Sequence, residues 1–153
     1  MKKTLTNYDL VTFMINSIST DFKKFKVTKE NEPVFFALYT LLLQKIFGVD
    51  MTHCKELIAI YCVKRTASET DGVELFSVVV DFVQDFDYTW EDALASTDDD
   101  SLLNNPLYCL AKVIQETLPE YNDYDIYQNF ELCVAMSSFV HNAQTLMNFF
   151  KRR

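Results

Sequence analysis

From Tyr8 to Phe25 the apolar side chains Leu10, Phe13, Met14, Ile18, Phe22 and Phe25 recur three or four positions apart, the spacing that lines one face of a helix. Thr6 and Asn7 precede the run as candidate N-caps, because their side-chain oxygens accept from the unpaired N–H groups of a first helical turn. Lys23-Lys24-Phe25-Lys26 gives this helix a basic end, where cations complement the partial negative charge of the C-terminus. A second helix opens at Asn31-Glu32-Pro33 and closes at Gly48. Proline suits a first turn because its missing N–H would have no intrahelical partner, and glycine suits the stop. Between them Val34, Phe35, Phe36, Leu38, Tyr39, Leu41, Leu42, Leu43, Ile46 and Phe47 leave no polar face, which predicts a helix surrounded by others.

A third helix is expected from Thr52 to Arg65, with Leu57, Ile58, Tyr61 and Cys62 inward. Ser68-Glu69-Thr70-Asp71 reads as the start of a fourth, since a serine cap with an acid three residues on is close to a capping box. Around that helix Phe76, Val79, Val83 and Phe86 fall opposite Glu74, Asp81 and Asp85, so one face is apolar and the other anionic. The run Val78-Val79-Val80 keeps a strand as the competing reading of residues 73–80. Thr89-Trp90-Glu91-Asp92 resembles a second capping box and predicts a short fifth helix to Ala95, followed by a loop from Thr97 to Asn105. Asn105-Pro106 opens a sixth helix carrying Leu107, Leu110, Ala111, Ile114 and Leu118, and Pro119 stops it. A seventh, from about Asp125 to Phe150, has Ile126, Phe130, Cys133, Val140 and Met147 along one seam and Leu132, Met136, Phe139 and Leu146 along another. The expected fold is an all-α, single-domain bundle of about six to seven helices around the apolar helices near 33–47 and 125–150. No internal repeat or linker is visible.

Composition agrees with that pattern. Two glycines and three prolines in 153 residues are too few for the many tight corners of a sandwich or barrel. The longest apolar stretch, Val34 to Phe47, falls short of the roughly 20 residues that cross a bilayer, and Asn7 and Asp9 interrupt any secretory h-region after Met1-Lys2-Lys3. Cys54, Cys62, Cys109 and Cys133 form no C-x-x-C pair and read as small buried hydrophobes in a reducing compartment. A cytoplasmic protein without a membrane partner is the expectation.

Charge changes the picture more than any motif does. Residues 1–66 hold ten basic and six acidic side chains, whereas residues 67–150 hold sixteen acids and a single base, Lys112. Any one of these acids reads as part of a solvated, solubilising face, but like charges at that density repel one another and oppose the compact state, which sets a functional use of the cluster beside that reading. Such a surface steers a cationic protein and repels nucleic acid. The basic, aromatic stretch at 22–26 does not outweigh a pI near 4.7.

The chain carries no legible catalytic or metal motif. His53 and His141 lie on separate helices without zinc-ligand spacing, and His53 and Cys54, as helical neighbours, point apart. His141 reads as a packing residue. Glu74, Asp81 and Asp85 share a face, but no second set of ligands is evident, and Gly48 and Gly72 are too isolated for a phosphate loop. No cofactor, metal or enzymatic role is expected.

The candidate site is a partner-binding surface: Glu74, Asp81, Asp85, Asp87, Tyr88, Trp90, Glu91 and Asp92, the acidic run Asp98, Asp99 and Asp100, and the tyrosine-acid cluster Tyr121, Asp123 and Tyr124. Aromatic side chains among acids are either core residues at a helix junction or rigid anchors in a binding surface. The expected function is an inhibitor of a basic protein, such as an immunity protein or antitoxin that covers a nuclease-type toxin, and a homodimer stays open. The alternative is a helix-in-groove module of the viral Bcl-2-like kind, although Trp90 is followed by Glu91 without the Asn-Trp-Gly-Arg stretch usual there.

Overall fold

The computed structural model describes residues 6–22, 27–96, 106–117 and 126–151. They form six α-helices: α1 (Asn7–Asp21), α2 (Glu32–Phe47), α3 (Met51–Arg65), α4 (Glu69–Ser96), α5 (Pro106–Thr117) and α6 (Ile126–Lys151). The protein is an all-α bundle, and residues 73–80 are helical rather than extended. The expected fourth and fifth helices are one 28-residue helix. Thr89 does not cap a new one: its hydroxyl donates to the Asp85 carbonyl one turn back at 3.2 Å, a bond compatible with an unbroken helix.

The other boundaries follow local chemistry. Thr6 and Asp9 make a reciprocal capping box, with the Asp9 N–H donating to Thr6 Oγ1 at 3.2 Å and the Thr6 N–H to Asp9 Oδ2 at 2.9 Å. Asp50 caps α3 by accepting from the His53 N–H at 2.7 Å, one residue earlier than the apolar spacing alone indicated. Ser68 Oγ accepts from the Asp71 N–H at 3.1 Å and starts α4 where the serine-acid spacing placed it. Gly48, at φ 68°, ends α2 in the left-handed conformation that side chains resist.

Helix α2 is the axis of the bundle and touches α1, α3, α4 and α6. All nine residues from Phe35 to Leu43 are buried, so even Thr40 turns its hydroxyl onto the Phe36 carbonyl at 2.9 Å. Aromatic rings lock its neighbours in place. Tyr39 stacks on Phe139 of α6 with centroids 3.7 Å apart and planes within 4°, and Phe36 stacks on Tyr61 of α3 at 4.1 Å. Against this axis α4 lays Val79, Val83, Phe86, Trp90 and Ala93, spaced four, three, four and three residues apart and all buried. Helix α5 completes the packing with Cys109, Leu110, Val113 and Ile114. In α6, Phe139 and Ala143 are buried, while Val134, Ser137, Ser138, His141 and Asn142 face outward. His141 is therefore a surface residue, not a packing one. Among the described residues no helix is long and apolar enough to cross a membrane.

The register of α4 can be tested by two neighbouring substitutions. Phe86→Ala, at a fully buried position, should lower unfolding free energy by about 3–5 kcal/mol. Tyr88→Ala, on the exposed side, should change it by no more than about 0.5 kcal/mol. Urea midpoints of the two variants read the difference.

Candidate functional site

Burying the seam of α4 fixes what the opposite face shows. Glu74, Asp81, Asp85, Tyr88 and Asp92 are separated by seven, four, three and four residues, multiples of the helical turn, and all five are exposed. At 1.5 Å per residue they form a stripe about 27 Å long. Tyr88 stands 77% exposed in the middle of it. Helix α4 as a whole carries eight carboxylates and no lysine or arginine.

Three expected members of the site have other roles or positions in the fold. Trp90 is only 5% exposed and belongs to the core, because its place in the four-three-four-three seam turns the indole inward; it is not a surface anchor. Asp87 and Glu91, one turn apart, both pair with the Lys45 ammonium of α2. That lysine is 18% exposed. Burial alone would lower its pKa, but the two carboxylates outweigh burial and raise it. Asp98, Asp99, Asp100, Tyr121, Asp123 and Tyr124 lie outside the described residues, as do Lys23 to Lys26.

Elsewhere the basic first third makes its own links. Glu32 accepts from the Tyr61 hydroxyl at 2.8 Å and from Arg65 through Nε at 2.8 Å and a terminal guanidinium nitrogen at 3.2 Å. This charge-assisted fork ties the start of α2 to the end of α3. Lys64 lies 3.8 Å above the Tyr8 ring. His53 Nε2 sits 2.9 Å from Asn7 Oδ1, joining the first turns of α1 and α3.

A second surface feature was not foreseen from the sequence. Where α3 ends and α4 begins, Ala59, Cys62, Val63, Gly72, Val73 and Phe76 line an open groove of about 460 Å³. Val63 is 78% and Val73 62% exposed within it. Gly72 leaves room for the Thr66 side chain that follows α3, because a Cβ there would approach Thr66 Oγ1 to 3.2 Å. The usable sign was the Val63 and Val73 pair flanking a Ser-x-x-x-Gly helix start, where isolated apolar positions look like ordinary surface. Among the described residues no group of three or more His, Cys, Asp or Glu side chains is placed to hold a metal ion. Comparison of the chain with protein-family models, curated proteins and solved structures finds no match.

Two outcomes check this geometry. Lys45→Met leaves two carboxylates without their cation and should cost about 1–3 kcal/mol, more than the same change at exposed Lys55. The folded lysine holds its proton more tightly than the unfolded one, so its contribution is complete below pH about 10.4 and is lost as pH rises through the higher folded value. The gap in urea midpoint between wild type and variant should close over that range. Separately, burial pushes the Cys54 and Cys62 thiols up to about 11, two units above their ordinary value. Alkylation at pH 8 should therefore proceed at least about 100-fold more slowly at both in the native protein than in urea, read residue by residue by mass spectrometry.

Proposed function

We propose that this protein binds and neutralises a cationic partner protein, in the manner of an immunity protein or antitoxin covering a basic nuclease-type toxin. The observation that carries the reading is the exposed stripe Glu74, Asp81, Asp85, Tyr88 and Asp92 on a helix without a single base. Carboxylates gathered on one rigid helix face add their fields and raise the encounter rate with a positively charged surface, while repelling phosphate backbones. Tyr88 supplies the large amphipathic ring that interfaces favour at their centres. Asp87 and Glu91 contribute indirectly, by anchoring α4 to α2 through Lys45. Neither catalysis nor a bound cofactor enters this reading. A second reading, a helix-in-groove interaction module, draws on one observation, the apolar groove between α3 and α4.

Affinity capture from the source cell with wild type and with Asp81→Asn/Asp85→Asn/Asp92→Asn tests the first reading. The expected outcome is a basic protein retained by wild type and depleted by the neutralised variant. Its association rate should fall steeply between about 50 and 500 mM salt, as the screening length shortens from roughly 14 to 4 Å. Retention indifferent to both salt and neutralisation would overturn it.

A further inference from the structure

We propose that the groove at the α3–α4 elbow receives an amphipathic helical segment of the partner, one that carries lysine or arginine beside its apolar side chains. This rests on the reading of the protein as a binder of cationic proteins, and names the partner element that α4 engages. The floor is apolar: Ala59, Cys62, Val73 and Phe76 line it, and its volume of about 460 Å³ suits a few aliphatic side chains. Its rim is anionic. Glu69 borders the groove, and a shallow depression sharing Glu69 and Val73 with it extends to Glu74, the first carboxylate of the exposed stripe. Groove and stripe are thus continuous along α4.

Among the described residues, the two cations at the end of α3 do not line this groove. Lys64 is engaged by the Tyr8 ring and Arg65 by Glu32, and both line the adjoining cavity of about 540 Å³ rather than this groove. The N-terminus of α4 contributes a partial positive charge of about half a unit, which Glu69 and Asp71 in its first turn more than offset. Three kinds of occupant separate on this basis. An acidic segment is repelled, and a neutral one fills the floor but leaves the carboxylates unmatched. A second copy meeting this face symmetrically would set one anionic rim against another. A basic-flanked amphipathic helix satisfies floor and rim together, in the way helices commonly dock in grooves.

The test uses the full chain and a fluorescent helical peptide of about 16 residues, with leucines on one face and lysines beside them. A peptide with glutamate replacing lysine and a scrambled peptide of equal charge serve as controls. Val63→Ser/Val73→Ser alters only exposed side chains, and an unchanged urea midpoint verifies its fold. The lysine peptide should bind wild type, lose about tenfold or more in affinity with this variant, and outcompete both controls. Equal binding of the glutamate or scrambled peptide, indifference to the valine changes, or a wild-type dimer in sedimentation that Val63→Ser/Val73→Ser dissolves would each overturn the inference. Polylysine binding by Asp81→Asn/Asp85→Asn/Asp92→Asn separates the two failures. If polylysine binding drops while the peptide ignores the groove, only the groove assignment falls; if polylysine binding is unchanged, the cationic-partner reading falls with it.

Discussion

The outer face of α4 depends on how its inner seam packs. Val79, Val83, Phe86, Trp90 and Ala93 meet the enclosed α2 and its neighbours, and a helix that buries one side has no freedom left in what it shows on the other. Fully burying side chains of this size is worth roughly 1.5–3 kcal/mol each, several times the few tenths that repulsion between exposed like charges takes away. The hydrophobic term therefore sets the rotation of the helix, and the carboxylates of Glu74, Asp81, Asp85 and Asp92 are held in line although they repel one another. Lys45 adds direction to that non-directional force. By pairing with Asp87 and Glu91 on the flank of the seam, it ties α4 to one position along α2.

One lysine of the first third reaches across to two acids of α4, while Arg65 and Lys64 are occupied within their own third by Glu32 and Tyr8. On the proposed reading, the anionic face of α4 supplies charge that hastens the encounter, and the apolar groove at its N-terminal end supplies area that slows departure.

The fold was legible where periodicity and punctuation agreed. The predominance of apolar residues in α2 between Pro33 and Gly48 announced an enclosed helix, and the opposition of Val79, Val83 and Phe86 to Asp81 and Asp85 announced the two faces of α4. What misled was chemistry with two uses. Thr89 followed by an acid at Asp92 looks like a cap, but threonine also bonds to the carbonyl four residues back inside a helix, and tertiary burial of Trp90 decides between them. The same burial removes Trp90 from the candidate site, because an aromatic among acids reads alike whether it anchors a partner or the core. The Lys45 link and the groove are contacts between residues distant in sequence or on converging helices, which spacing along one helix cannot register.

Trp90 is the sole tryptophan, so acrylamide quenching of its fluorescence reports directly on which way α4 faces. With the inner seam packed as described, quenching in the native protein should be weak and should rise to the level of a free indole only as urea unfolds the chain. Native quenching as strong as in the unfolded chain would mean that the indole faces solvent, that α4 is rotated or broken at Thr89, and that its carboxylates do not form the outward stripe.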